Sequence, residues 1–566
     1  MRTRLQAAFL LLGTVLGISA TPANAALVIS KGPTQNVNCS AGVCTATAAD
    51  AVLNVKDVKK FLRAGDLKIV SGSAAQDIDF AVKLQWTKPT RLTLDAFRSI
   101  TFHEAVTVEG AGAVTLITND GGTGGNHSFA GKGHITFWDL SSNLAINGNS
   151  YALVGDVKSL AAGIAAHPSR NYALARFYDA SVDGTYADSP IITPFNGKFD
   201  GLGHAIANLS LTIRRKTTVE FGLFLNLGAQ AVVRNIELQD FNYAYEVNLK
   251  RPIYHHAGML AAENAGRIKD VVVTGGIISS GYGGCSGGIV GSNSGTVLNS
   301  AVQSVDVVGQ GTGGIACGNT GLITQSHVNA TVEGGFASAA GGIAESNEGT
   351  ISLSYSMGTV AVEGDDGFLG DNGEADAGGV AVDNYGLVDR CFSLASVDGG
   401  GSSAGQEHES NSWAGGLIAK NYGEVLNSYE MGSVIDADLF GVGVYVGGAI
   451  GEGYSGSEVT GTYSTGAISC PDCRGDIAGF IGVALASASA DYWNVNTTGE
   501  SSGCGYGDCE GVAGLTTSQF KSGLPAGFDP AVWGQSTNIN NGYPYLLANP
   551  PPEQLVSPPL CGEVDE

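Results

Sequence analysis

The stretch Gly341-Gly342-Ile343-Ala344-Glu345-Ser346-Asn347-Glu348-Gly349-Thr350-Ile351 decides the fold. Two adjacent glycines precede an apolar residue. An asparagine stands five places after the second glycine, a third glycine seven places after it and a β-branched residue nine places after it. The same order recurs in Gly415-Gly416-Leu417-Ile418-Ala419-Lys420-Asn421-Tyr422-Gly423-Glu424-Val425. With the second small residue of each small–Gly–apolar step as anchor, the units start at Gly222, Gly258, Gly288, Gly314, Gly342, Gly379, Gly416, Gly448 and Gly479. Their spacings are 36, 30, 26, 28, 37, 37, 32 and 31 residues. A repeated unit of this size denotes a solenoid, a propeller or an array, and variable spacing around a constant kernel puts the insertions in loops.

Counted from the anchors, position five holds Asn293, Asn319, Asn347, Asn384 and Asn421, and position seven holds Gly295, Gly321, Gly349, Gly386 and Gly423. Position nine is Val297, Ile323, Ile351, Val388 and Val425; position twelve is Ser300, Ser326, Ser354, Cys391 and Ser428. Position thirteen is His327, Tyr355, Phe392 and Tyr429, and position eighteen is Val332, Val360, Val397 and Val434. The strand-forming runs between the Asn-x-Gly turns are too short for the four strands of a propeller blade. Each unit therefore reads as one coil of a parallel β-helix in an all-β protein, with glycine expected to supply positive φ at the turns. Equivalent positions then stack about 4.8 Å apart. The valines and isoleucines become interior ladders and the asparagines a structural amide ladder. Cys391 is expected to be a buried thiol in a serine column, and His327 a stacked ring.

Composition agrees. Glycine, 84 of 566 residues, is at roughly twice its usual share, and charged residues at 14% fall well below theirs. With 16 prolines and no every-third-residue glycine, collagen is excluded. A hydrophobic content of 43% excludes a disordered chain. The formal charge is −24, and removal of Arg2 and Arg4 with a leader would bring it to −26. Such a field repels nucleic acid and anionic membrane surfaces, and no basic patch is found along the chain to offset it. Nucleic acid is therefore not an expected partner.

Residues 1–25 read as a secretory signal: Arg2 and Arg4, an apolar run from Ala7 to Ala20, and the small-x-small site Ala23-Asn24-Ala25. The run is shorter than the roughly 20 residues of a membrane span, and no later segment is apolar enough, so the mature chain is expected to lack a transmembrane segment. In an oxidising compartment the close pairs Cys39/Cys44, Cys470/Cys473 and Cys504/Cys509 read as short-loop disulfides. Cys285, Cys317 and Cys561 have no partner nearby in sequence. The chain divides into a β-rich N-terminal region with one helix (26–140), a helix-containing lead-in (141–220), the repeats (221–495), a C-terminal cap (496–550) and a Pro-rich acidic tail (551–566). Asn54 is expected to cap the first helix, with Val58, Phe61 and Leu62 as its apolar stripe and Gly65 its end. Asp156 caps a second over about 157–166.

The repeat units quoted above resemble the GLUG repeat of secreted bacterial surface proteins, including filamentous-haemagglutinin-like adhesins. Phe199-Asp200-Gly201-Leu202-Gly203-His204 is similar to the Phe-Asp-Gly-x-Gly-His step that commonly precedes such repeats. The run from Gly514-Leu515-Thr516-Thr517 through Phe528-Asp529-Pro530 to Gly542-Tyr543-Pro544-Tyr545-Leu546 is similar to the segment that closes them. The resemblance covers about 195–550. It implies a bacterial, exported, right-handed β-helix with an adhesive or cell-surface role and no catalytic residues. The chain departs from this pattern in lacking a two-partner secretion signature and a C-terminal barrel strand set, and in having ten cysteines.

The rival class is a β-helix polysaccharide lyase or glycoside hydrolase, which sets carboxylates at matching offsets on neighbouring coils. One such column exists, Asp383, Lys420 and Glu452, each four residues past its anchor. Its acids would lie about 9.6 Å apart, two strand spacings, with Lys420 between them, which reads more simply as an alternating-charge ladder. The acidic loop Asp365-Asp366 to Asp371, Glu374 and Asp376 has the carboxylate density that calcium takes, without the spacing of a twelve-residue calcium loop, and reads equally as a solvated insertion. His103-Glu104 opens like a zinc-protease motif, but the fifth position is Thr107, which separates the chain from IgA-cleaving metallopeptidases that carry the repeat. Arg474-Gly475-Asp476 is a tripeptide some adhesive proteins use, and equally a loop beside Cys473. No metal, cofactor or catalytic residue is expected. The expected partner is a surface ligand, a glycan or a host-cell component.

Overall fold

In the computed structural model, the residues described are 25–552 apart from 215–219, 247–254, 282, 364–373, 401–410, 437–442, 471–472 and 474. The signal-like residues 1–24, Asp365, Asp366, Asp371, Arg474, Cys561 and the tail from 553 lie outside them. The chain is a parallel β-helix. One wall is a ten-stranded sheet of Phe224–Leu227, Ala261–Asn264, Val290–Asn293, Ala316–Asn319, Ala344–Asn347, Ala381–Asn384, Ile418–Asn421, Ile450–Gly453, Ile481–Ala484 and Cys504–Gly507. The remaining strands of each coil pair in the same parallel way, Thr350–Ser352 on Leu387–Asp389 and these on Glu424–Leu426.

The ladders follow from that register. Val297, Ile323, Ile351, Val388 and Val425 are fully buried in the core. Each asparagine amide donates to the next: Asn293 to Asn319, Asn319 to Asn347, Asn347 to Asn384 and Asn384 to Asn421, all at 2.8 Å. Asn264 begins the series with the same 2.8 Å bond to Asn293. In its coil Met259, not Gly258, stands at the anchor, because Gly258 pairs with Gly287 and Asn264 with Asn293. His327, Tyr355, Phe392, Tyr429 and Tyr463 stack at 5.0, 4.6, 4.8 and 5.2 Å.

The repeat glycines are needed for room rather than for positive φ, which none of those at the anchors or at position seven adopts. A Cβ on Gly341, Gly378 or Gly415 would run into the carbonyl oxygen three residues later, on Ala344, Ala381 or Ile418. A Cβ on Gly342 or Gly379 would meet the carbonyl oxygen of the equivalent glycine on the next coil, and one on Gly349, Gly386 or Gly423 that of Gly321, Gly349 or Gly386 on the previous coil. Every such approach is under 3.0 Å. A left-handed residue recurs at position eleven instead: Asn299, Gln325, Leu353, Arg390 and Asn427, with φ of 47 to 52°.

Parallel coils also build the N-terminal region, well before residue 221. Ala26–Ser30, Asp77–Phe80, Ile100–Phe102 and His127–Phe129 form one stack, and Leu84–Trp86, Ala105–Val108 and His134–Phe137 a second. Val43–Ala46, Leu67–Val70, Arg91–Asp95, Ala113–Ile117 and Asn143–Ile146 form the third. The helix Val55–Ala64 closes this block with Asn54 accepting from the Lys56 N–H and Val58 and Leu62 buried. At Asn147-Gly148 the chain reverses: Asn149–Val154 lies antiparallel to Asn143–Ile146 and parallel to Tyr172–Leu174, which pairs with Lys198–Ala207 and so leads into the repeat stack. Asp156 caps the helix Val157–Ala166 by accepting from the Ser159 N–H.

The two blocks are joined by buried polar groups. Asp200 takes bonds from Arg234 Nε at 2.9 Å and Asn235 at 3.1 Å and lies 2.7 Å from His127 Nε2. Arg234 also donates to Asn126, and His204 Nε2 bonds the Ile135 carbonyl at 2.9 Å. The Phe-Asp-Gly-x-Gly-His step thus stitches the repeat stack to the N-terminal block. Coils continue to Val512–Leu515 on Asp491–Asn494, beyond the expected limit at 495. The segment after them lies along the flank: Phe520, Phe528, Trp533 and Leu546 pack over Tyr429 and Tyr463, and Asn549 donates to the carbonyls of Ser354 and Arg390.

If the glycines serve close approach, Gly349→Ala lowers stability by more than about 2 kcal/mol, an overpacking cost. Gly318→Ala stays within about 1 kcal/mol of the parent, because nothing lies within 4 Å of a Cβ there. Chemical denaturation of both variants checks this, and equal losses would put the constraint elsewhere.

Candidate functional site

The glycine bend turns two strands of each coil toward one another, so residues three before one anchor and three after another meet. Cys285 and Cys317, which stand in those places, form a disulfide that sequence proximity did not suggest. Further along the same trough, Trp413 packs on Val382 and Ala419, with Ala339 and Tyr445 alongside. The trough is where the chain gathers its acids.

Lys420 is the pivot. The strand register puts Asp383, Lys420 and Glu452 in one column, as the spacing predicts. The charges do not pair along it. Lys420 Nζ turns across the trough to Asp376 at 2.8 Å and Glu374 at 2.9 Å, and lies 3.9 Å over the Trp413 ring. Glu452 accepts the Trp413 indole N–H at 2.7 Å. The alternating ladder is therefore replaced by a cross-column cluster: with Glu452 accepting from the indole, Lys420, 7% exposed, gains more from two carboxylates and a ring face than from Asp383 alone. Burial, and then the neighbouring Asp383 and Asp376 charges, push the Glu345 carboxyl up to about 7. Burial pushes Asp376 up to about 7 as well, against the opposing pull of Lys420. Both carboxyls are thus raised toward neutrality, and Asp376 is at the same time held by the Lys420 ammonium at 2.8 Å.

Beside the trough a second column faces outward. Tyr385, Tyr422 and Tyr454, six residues past their anchors, stack at 4.5 and 4.1 Å. Tyr385 is 52% exposed, and the strip continues through exposed Leu485, while exposed Tyr506 ends the neighbouring column of Lys420, Glu452 and Val483. A cleft of about 870 Å³ opens there between Ser457, Leu485, Ala486 and Tyr506.

The other expected residues fall as follows. Cys39–Cys44, Cys470–Cys473 and Cys504–Cys509 are disulfides. Cys391 is a free buried thiol, pushed up to about 12 by burial, which removes it as a nucleophile. Of the acidic loop, Glu374 and Asp376 bind Lys420, and the rest lies outside the described residues, as does Arg474 of the Arg-Gly-Asp tripeptide. His103 stands exposed after Ile100–Phe102. Among the described residues, metal-like groupings of His, Cys, Asp and Glu occur at Cys285/Cys317/Glu345 and Asp436/Cys470/Cys473, and in each the cysteines are joined to one another. A disulfide sulfur is not the thiolate a metal takes.

The expected N-terminal picture needs one correction. Lys31, Lys56, Lys59, Lys83 and Lys88, scattered in sequence, come together around the helix Val55–Ala64, so the chain does carry a local basic patch.

The pH dependence has a definite sign. Glu345 and Asp376 are raised from ordinary values of 4.5 and 3.8, so the stability they confer is complete below about pH 4 and lost as pH rises through 7. Burial lowers His204 from 6.5 to about 4, so its contribution is present above 6.5 and lost as pH falls toward 4. Because two acids oppose one histidine, stability is expected to fall as pH rises from about 5 through 7, and Glu345→Gln to flatten that alkaline side. Lys420→Met, which leaves Asp376 unpaired, costs about 3 kcal/mol or more at high pH and less where Asp376 is protonated. Thermal unfolding across pH reads all three, and an alkaline slope unchanged by Glu345→Gln removes that residue from the account.

No protein-family model and no curated protein matches the chain. Among solved structures it is similar to a Bacteroides ovatus protein described as a "putative immunoglobulin A1 protease", at 17% identity and a TM-score of 0.29, over 70% of this chain and 93% of that one. At that score the likeness carries no weight for function.

Proposed function

We propose that the chain is an exported, adhesin-like β-helix that binds an extended polar ligand, such as a surface glycan, along the flank carrying Tyr385, Tyr422 and Tyr454, without catalysis. The observation that carries this reading is the outward tyrosine column over three successive coils beside acids tied up by Lys420. Within the column each ring face is covered by the next ring, so sugar rings have little free face to stack on. What is offered is a row of phenol hydroxyls and ring edges repeating at the coil spacing, which suits hydrogen bonding to a chain of hydroxyls. Export is supported by the signal-like residues 1–25 and by four disulfides among the described residues. The resemblance to the GLUG repeat points the same way.

A second reading, a polysaccharide-active enzyme, is favoured by Glu345 and Asp376 titrating near 7 in a trough, where a general acid would be useful. The two separate on one experiment. Mature protein is applied to a glycan array and, in parallel, to soluble polysaccharides with reducing-sugar release and unsaturated-product absorbance as readouts. Retention on glycans, weakened at least about tenfold (1.4 kcal/mol) by Tyr385→Ala with Tyr422→Ala, and no product release, is the expected result. Product formation that Glu345→Gln abolishes would establish the enzyme.

A further inference from the structure

The molecule as a whole is strongly acidic, yet residues 26–110 carry ten Lys and Arg against eight Asp and Glu. The fold concentrates the cations further. On the helix Val55–Ala64, Val55, Val58 and Leu62 face the core, while Lys56, Lys59, Lys60 and Arg63 fall at the spacing of one opposite stripe. Coil corners bring more. Lys31, Lys56, Lys59 and Lys83 line a cleft of about 450 Å³, which also holds Glu104. Lys59, Arg63 and Lys88 line a second, of about 370 Å³, which also holds Glu109. The clefts share Lys59 and so make one furrow beside a helix about 15 Å long.

These cations are uncommitted. Nearby Lys68 and Arg98 are paired with Asp95 and Asp77. Lys31, Lys56, Lys59, Lys60, Arg63, Lys83 and Lys88 have no ion pair with any described residue, and all but Lys59 are exposed. Seven cations against Glu104 and Glu109 leave a net positive surface that repels itself within a chain of net charge −24, and an external polyanion would relieve that repulsion.

We infer that this furrow is a docking site for an acidic polysaccharide, a thin chain with repeating carboxylate or sulfate groups. The charge layout selects a chain: cations spread over two clefts that share Lys59, along a helix about 15 Å long, suit anionic groups repeated along a strand. Nucleic acid fits less well, because its single strands want aromatic faces for base stacking. The one ring lining the furrow, Trp86, is 6% exposed with its indole N–H bonded to the Thr90 carbonyl. A membrane surface fits less well too, since the helix's apolar face is spent on the core. The acidic remainder of the molecule does not block contact, because at physiological salt charges beyond about 8 Å are screened. The site is separate from the tyrosine flank and stands or falls without it.

The test is binding of the full chain to polygalacturonate and to heparin, with neutral dextran and a single-stranded oligothymidylate as the other arms, each titrated against salt. Polygalacturonate or heparin should bind, dextran should not, and affinity should fall with rising salt. The Lys56→Gln, Lys59→Gln, Arg63→Gln variant should bind at least tenfold more weakly and lose about three from the slope of log affinity against log salt, with an unfolding midpoint showing it folded. Tyr385→Ala should bind these polyanions as the parent does. Equal binding by parent and triple variant overturns the site, and so does equal retention of dextran. Tighter binding of the oligothymidylate than of either polysaccharide overturns the ligand class. Salt-sensitive self-association of the parent, absent in the triple variant, would reassign the furrow to a second copy.

Discussion

Everything in this molecule depends on the distance between one coil and the next. Parallel backbone hydrogen bonds fix it near 4.8 Å, and side chains at equivalent positions must then tolerate their own kind as neighbours. Few groups do. Branched aliphatics pack, amides donate to one another in series, rings stack, and glycine lets carbonyls approach where any Cβ would collide. The columns of asparagine, glycine, valine and ring residues are the solutions of that one constraint. An amide in the middle of the series both donates to and accepts from its neighbours, so the buried polar row leaves no unpaired group within it.

Like charges cannot be repeated this way, so charge marks the places where a column must be broken and rescued from the side. Lys420 interrupts the acids at its position and is held by Asp376 and Glu374 from another strand. Asp200 is buried only because Arg234, Asn235 and His127 surround it. Its carboxyl lies well below the ordinary range: burial would raise it, but the opposing pull of His127 and Arg234 prevails. That cluster sits where the stacked register ends and two blocks of coils must be fastened by side chains instead of by backbone ladders.

What the sequence disclosed follows the same line. Positions that repeat were legible: Asn293 through Asn421, Val297 through Val425, the ring column, and the caps Asn54 and Asp156, whose chemistry is local. Positions defined by the space between coils were not. Asn264 escaped because Met259 occupies its anchor, shifting the count by one. Cys285 and Cys317 are 32 residues apart, and meet only because the glycine bend faces two strands together. Glycines beside asparagine suggest turns with positive φ, whereas a one-dimensional pattern carries no sign of the carbonyl lying against each Cα. The coils of 26–140 have no recurring Gly-Gly-apolar anchor, since Gly121-Gly122 and Gly124-Gly125 are followed by Thr123 and Asn126, so their strands were visible but not their stacking.

Sequence separation also hid the basic furrow, for a reason that bears on how such rods acquire function. A stacked fold brings residues twenty to fifty places apart into one column, as Lys31, Lys83 and Glu104 come to share one cleft. A surface of one charge then needs no basic run in the chain and can exist inside a strongly acidic protein. The repeats cannot supply such a patch, because their faces are committed to groups that stack on themselves. The irregular coils near the N-terminus, with a helix laid across them, are free of that requirement. On a solenoid of this kind, concentrated charge belongs where periodicity fails: at Lys420 in the trough, at Asp200 in the junction and along the cationic side of the first helix.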